Sequence, residues 1–348
     1  MFPWCATGLT AIVTKHALHI SGFLLMALFA GAAGWLVYYA NTPLQLSNVP
    51  VEFSLKPGSS LRSAAKQLTE ISVLPEPWNF VVLGRILGKA GQIKAGNYEL
   101  NRELSPYSLL IKLTKGDVTQ KEITFIEGWT FSQARQTLNN HPSIRHDTAK
   151  MSEKEILERI GATEESAEGL LFPDTYHFSE GASDITILKR AYQTMNSTIG
   201  AAWAARAPNL PFANPYEALI LASIVEKETG RATERRMVAT VLTNRLRLGM
   251  KLQADPTVIY GIGESFDGNI RKRNLETDTI YNTYTRAGLP PTPIAMPGLA
   301  SIQAALNPAN SKALYFVSRG DGTSYFSDTL EEHNRAVTKY QKSGRGKP

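Results

Sequence analysis

Cysteine is almost missing from this 348-residue chain: Cys5 stands alone. One thiol excludes an intramolecular disulfide framework and the cysteine cluster of a structural zinc site. Six scattered histidines include no His-x-x-x-His pair, which leaves a catalytic zinc centre without ligands at helical spacing. Neither Gly-x-Gly-x-x-Gly nor Gly-x-x-x-x-Gly-Lys-Ser/Thr occurs, so nucleotide-dependent chemistry has no local support. No metal and no cofactor is expected. Neither sign of charge dominates, with 37 Lys+Arg against 31 Asp+Glu and a formal charge of +6. That mild excess keeps a protein soluble and suits an anionic polymer or a membrane surface, but it does not point to nucleic acid. The length is a soft prior for two domains.

What is present begins with one apolar run. Phe23 to Ala40 is eighteen residues without a charge. At 1.5 Å per residue a helix of roughly twenty residues crosses a bilayer's hydrocarbon core, and Ile20 to Asn41 reaches that length. Trp35, Tyr38 and Tyr39 stand at its far end, where amphipathic rings prefer the headgroup layer. Lys15, His16 and His19 precede it. The positive-inside rule then predicts a cytoplasmic N-terminus over 1–19, a transmembrane anchor over 20–40, and everything beyond Asn41 outside. Ala30-Gly31-Ala32 resembles a signal-peptide cleavage site, but cutting there would split the apolar run, so an uncleaved anchor is expected. Asn41 to Pro50 reads as a linker.

An internal repeat follows at an offset of seventy residues. Phe53, Leu55, Gly58, Leu61, Ala64 and Leu68 are matched by Ile123, Phe125, Gly128, Phe131, Ala134 and Leu138. Each copy predicts a short strand, a glycine turn, and a helix capped by Ser60 or Thr130. Such units resemble LysM-like modules, which bind glycan chains; a plain strand-helix spacer reads equally well, since no sugar-stacking aromatic cluster is visible. This module is expected over 51–150 and a second domain over 151–348. There, helices are predicted at Ser152–Gly161, Asp184–Ala204, Pro215–Thr229, Thr233–Leu248 and Ser301–Leu306. Thr233 is expected to cap the fourth and Gly249 to close it. Leu314–Val317 and Ser324–Phe326 read as paired strands around Arg319-Gly-Asp-Gly322.

The chemistry centres on Pro215–Thr229. Ala218 to Val225 carries no charge, so this helix reads as core on all sides, and it delivers Glu226 just before its end. Glu226 stacks over Ala222 and Ser223, so it is expected to project from a buried face with a raised pKa, as a general acid requires. Glu228, about 200° round the helix at ~100° per residue, is expected to face solvent. A solvated Glu-Lys-Glu helix end is the plainer reading. Gly249 to Tyr260 reads as an extended polar segment. Tyr281-Asn-Thr-Tyr284 leads into the proline-rich loop Gly288–Gly298, able to hold a rigid saccharide at little ordering cost.

Taken in order, Glu168–Tyr176, Ala222–Thr229, Asn244-Arg-Leu246, Leu252–Val258, Tyr281–Tyr284, Gly288–Pro291 and His333-Asn334 resemble the YceG-like (MltG-type) endolytic murein transglycosylases. The resemblance runs over nearly the whole chain. It implies an α+β fold: a single N-terminal transmembrane helix, a small LysM-like strand-helix module, then a mixed α+β YceG-like catalytic domain. It implies cleavage of the bond between N-acetylmuramic acid and N-acetylglucosamine within nascent strands, leaving a 1,6-anhydro end and ending glycan polymerisation. By the same resemblance Glu226 is the catalytic acid. Because the nucleophile is the substrate's own hydroxyl, no paired carboxylate is required; Asp255 or Glu228 would serve if one were. Gln253, Asp255, Asn282 and Tyr284 are the residues expected to orient the sugar. Peptidoglycan strands, the cytoplasmic (inner) membrane and peptidoglycan synthases are the expected partners, with the catalytic domain periplasmic. A hydrolytic, lysozyme-like muramidase and a non-catalytic tethered scaffold are the alternatives. The family often has His-x-Phe where this chain has Ser324-Tyr-Phe326, so no role for that histidine carries over.

Overall fold

A computed structural model describes residues 7–46, 49–56, 58–117 and 120–342, with side chains from Phe23 to Gln341. Cys5 and the side chains of Lys15, His16 and His19 lie outside the described residues. The chain divides into two compact units, residues 1–120 and 121–348.

In the first unit, α1 (Thr7–Asn41) is followed by β1 (Val51–Leu55), α2 (Leu61–Glu70), α3 (Pro77–Ile86), β2 (Gly96–Leu100) and α4 (Pro106–Lys115). The stretch Phe23–Asn41 is long and apolar enough to cross a membrane, and its side chains are almost wholly uncovered. β1 and β2 pair antiparallel, Phe53 opposite Tyr98. Ser60 caps α2 by accepting the Ser63 N–H, and Leu61, Ala64, Ala65 and Leu68 form its buried stripe. The expected linker is not free. Leu44 is buried and donates its N–H to the Leu104 carbonyl at 2.9 Å.

The second unit begins at β3 (Gln120–Thr124), α5 (Phe131–Asn139), β4 (Ile144–Arg145), α6 (Glu153–Ile160), β5 (Thr175–Ser179) and β6 (Ala182–Ser183). It continues through α7 (Asp184–Ala204), α8 (Pro215–Glu228), α9 (Arg235–Arg247), α10 (Asp255–Ile262), α11 (Lys272–Glu276) and α12 (Leu299–Leu306). β7 (Tyr315–Ser318), β8 (Ser324–Ser327) and α13 (Leu330–Val337) close it. Both repeat copies are built alike, with Gly58 and Gly128 at positive φ and Thr130 capping α5 in a reciprocal box with Gln133. The second copy, however, is part of this unit. Ile123, Phe125, Phe131, Ala134 and Leu138 pack into its core, which is why the units part at 120/121 rather than at 150/151.

α8 is the central helix of that core: Ala218 to Val225 are all buried. α12 packs along it, and α7, α9 and α10 also contact it. Burial on every side follows from the apolar circumference. Asn214 caps the helix and Pro215 starts it, where a missing N–H costs nothing. α9 starts at Arg235 with Glu234 in the cap position and no side-chain cap, so Thr233 does not cap it. The Glu234 carboxylate instead accepts the Ser324 N–H at 2.9 Å and ties this end to the β7–β8 hairpin. Asp255–Ile262 is helical, not extended as expected: Pro256 sits at the helix start and the Thr257 hydroxyl turns back to the Ala254 carbonyl at 2.8 Å.

Candidate active site

Two glutamates near the end of α8 face different surroundings. Glu226 is enclosed, its side chain 7% exposed, and both oxygens are occupied. One accepts the Gly298 N–H, at the start of α12, at 2.9 Å; the other lies 3.5 Å from the Arg235 guanidinium. A carboxylate is at home at a helix N-terminus beside an arginine. These contacts tie the carboxylate to the starts of α9 and α12, and it does not line the cavity that Glu228 faces.

Glu228, the last residue of α8, does not face open solvent as its place on the helix predicts. It lines a cavity of 420 Å³ with Arg245, Gln253, Asp255, Tyr284 and His333 among its walls. Burial, with the negative charge of Asp255 adding to it, pushes its carboxyl up to about 7. The physical reason for the reversal is α8 itself. On a helix buried all round, a turn of about 200° leads from one packed face to another.

The walls of the cavity are fixed by short bonds. Arg245 is buried; its Nε donates to Leu314 O at 2.7 Å and its Nη1 to Leu252 O at 2.8 Å and Gln253 Oε1 at 3.2 Å. Its guanidinium lies 5.1 Å from the centre of the Tyr315 ring. Burial lowers its pKa. Gln253 holds a left-handed backbone, φ +52, and its N–H reaches Thr283 O at 3.1 Å. The Tyr284 hydroxyl donates to Asp255 Oδ1 at 2.5 Å, and burial pushes its own pKa upward. His333 stacks on Tyr315 at 5.2 Å, with its pKa lowered by burial and then by Arg245.

Of the residues expected to orient the sugar, Gln253, Asp255 and Tyr284 come together here. Asn282 does not. It is 1% exposed, its amide donates to the carbonyls of Asn274, Leu275 and Thr277, and its oxygen accepts the Tyr284 N–H at 2.9 Å. It therefore holds the Tyr284 backbone and offers nothing to a ligand. Sequence reasoning missed Glu228 and Arg245 as cavity residues. Arg245 carried a readable signal: it falls seven, four and three residues after Val238, Val241 and Leu242, a charge on an apolar stripe.

A third buried acid, Glu168, lies outside this cavity. It accepts N–H groups from Phe131 at 3.0 Å and Gly169 at 3.2 Å and the Tyr260 hydroxyl at 3.1 Å, while burial pushes it up to about 7. A larger cavity of 820 Å³ is lined by residues of α7, α9 and α12, among them Ala201, Ala304, Arg235 and Arg236, and it contains no acid. Acid chemistry on a bound chain therefore has its best setting at Glu228. Among the described residues no group of three or more His, Cys, Asp or Glu is placed to hold a metal ion.

Comparison with known proteins gives this geometry a context. The profile of the YceG-like family matches residues 53–339. A Bacillus subtilis protein named endolytic murein transglycosylase is 30% identical over 84% of this chain and 86% of its own length. A Streptococcus pneumoniae protein of the same name is 27% identical over 78% of this chain, which spans 58% of that longer relative. The crystal structure of a yceG-like protein from Listeria monocytogenes superposes with a TM-score of 0.52 at 28% identity, covering 82% of this chain and 98% of that one.

Proposed function

The chain belongs to the YceG-like family, and from that premise we infer that it is an endolytic murein transglycosylase, a lytic enzyme that cuts peptidoglycan glycan strands. We propose that Glu228 is its catalytic acid. One observation carries this: Glu228 faces the cavity with a carboxyl that burial and Asp255 bias toward the protonated form, whereas Glu226 has both oxygens engaged.

In the proposed reaction Glu228 gives its proton to the oxygen bridging N-acetylmuramic acid and N-acetylglucosamine. The glycosidic bond breaks as positive charge develops on the muramoyl anomeric carbon. The Glu228 carboxylate then takes the proton of the muramoyl carbon-6 hydroxyl, whose oxygen bonds to that carbon and closes a 1,6-anhydro ring. Proton and electron pairs balance without added water. Asp255, fixed by the Tyr284 hydroxyl, sets a negative charge near the developing cation. Gln253, held by Arg245, is a donor and acceptor for the sugar.

The remaining parts of the reading concern placement. α1 is a single-pass anchor in the cytoplasmic membrane, with the second unit on the periplasmic side. The strand-helix units that start at Val51 and Gln120 are LysM-like supports for the glycan. Ending of polymerisation beside peptidoglycan synthases belongs to the same proposal.

The test digests purified glycan strands with the intact protein and weighs the products. Anhydro ends weigh one water less than hydrolytic ends. Glu228→Gln should lower cleavage by at least the ~10²-fold usual for loss of a general acid, while Glu226→Gln should retain far more. Wild-type turnover by Glu228→Gln would return the assignment to Glu226.

A further inference from the structure

Outside the catalytic unit, the first unit holds a stack of three aromatic rings that the reaction does not use. Trp35 lies 5.8 Å from Tyr39 with planes 13° apart, and 6.0 Å from Trp78 with planes 12° apart. Tyr39 and Trp35 belong to α1; Trp78 is the second residue of α3. Trp78 is nonetheless 55% exposed, and Tyr107, at the start of α4, is 43% exposed. The turn from Ile71 to Trp78 contains a single charge, Glu76. Beside it opens a cavity of 440 Å³ whose walls include Trp35, Tyr38, Val73, Pro75 and Pro106.

The location of Trp35 decides what covers this surface. Trp35 sits six residues before the end of the Phe23–Asn41 span, about 9 Å along the helix axis. α1 runs 35 residues, about 52 Å, more than a hydrocarbon core about 30 Å thick requires. Leu36, Tyr39 and Ala40 are packed within the first unit, so the headgroup boundary falls near Trp35. A ring 6.0 Å from Trp35 and nearly parallel to it cannot lie more than that distance from the same depth, whatever the tilt of α1. A flat indole half-exposed at such a depth is where tryptophan prefers to be.

We propose that the α2–α3 turn, with Trp78 as its anchor and Tyr107 beside it, is a membrane-contact surface that enters the lipid headgroup layer. It would fix the first unit against the bilayer instead of leaving it hanging from one helix. The occupant is bilayer lipid. This inference rests on α1 being an anchor, and its test separates the two.

The full chain, grown with 5-fluorotryptophan and reconstituted in phosphatidylethanolamine–phosphatidylglycerol nanodiscs, gives one fluorine resonance for each of its five tryptophans. Single Trp→Phe variants assign Trp35 and Trp78. With lipid spin-labelled at acyl carbon 5, both resonances should broaden to within about twofold of each other, and a water-soluble gadolinium chelate should affect Trp78 little. Broadening of Trp35 by the lipid label, with Trp78 broadened only by the chelate, overturns the proposal and leaves the anchor standing. If the lipid label broadens neither, the anchor itself is wrong and the proposal falls with it.

Discussion

A carboxyl that must give up a proton near neutrality needs surroundings that resist its charge, and burial opposite Asp255 supplies them at Glu228. The cleavage rate as kcat/KM should therefore fall as pH rises through about 7, because the acid form is lost. Asp255→Asn removes the anion that adds to the shift, so in a pH-rate profile the same limb should move to lower pH; an unmoved limb would mean that another group controls it. The shift has a second consequence, for stability. Folded Glu228 binds its proton more tightly than the unfolded chain does, so its favourable contribution is complete below pH 4.5 and is lost as pH rises through about 7. Glu228→Gln should match the wild type in thermal unfolding at pH 4 and exceed it at pH 8, by up to about 3 kcal/mol. Loss of activity together with gained alkaline stability is the signature of a group kept for chemistry.

At the scale of elements, the proline-rich loop is held by hydrogen bonds to α8 and to the turn before α5. Ser223 Oγ accepts the Ile294 N–H at 3.0 Å, and the backbones of Gly128 and Trp129 pair with Met296. Gly169 closes the far side of this loop. Its φ is +74, and a Cβ there would run into the Pro293 ring and sit 3.1 Å from the Ala295 carbonyl. Gly161, which ends α6, has φ +83 with nothing near. Gly161→Ala should cost about 1 kcal/mol for its backbone alone, and Gly169→Ala 1–3 kcal/mol more for the added overlap. Denaturant unfolding of the two variants checks the difference; equal losses would show that the loop yields freely. Elements specified by neighbouring residues were the legible ones. Asp184–Ala204 is helical over the expected range, and α6 has the Ser152 cap and Gly161 stop that its sequence announces. α10 was not legible, because Asp255-Pro-Thr257 takes its shape partly from the 2.9 Å contact of Thr257 with Thr283, twenty-six residues away. The site divided in the same way. The helix carrying the acids could be recognised, but which of its faces met a cavity depended on α9, α10 and the β7–β8 hairpin.

For the whole molecule, the remaining question is on which side of a membrane the second unit works. α1 is the one helix among the described residues long and apolar enough to span, and Trp35, Tyr38 and Tyr39 lie toward its C-terminal end. One basic residue, Lys15, precedes the apolar stretch Phe23–Asn41 in the sequence, and the second unit follows it. A substrate built of wall glycan is met outside the cytoplasmic membrane, so chemistry and charge bias ask for the same orientation. Protease added to intact spheroplasts should degrade residues beyond Asn41 and spare a short N-terminal piece, while a cytoplasmic marker stays whole. Moving the charge bias supplies the counter-test. Three added lysines just after Asn41, with Lys15 changed to Gln, should protect a fraction of the chains and lower wall cleavage by cells in proportion. Complete protection of the unaltered protein would place Glu228 on the side where no wall strand reaches it, and the orientation would have to be reversed.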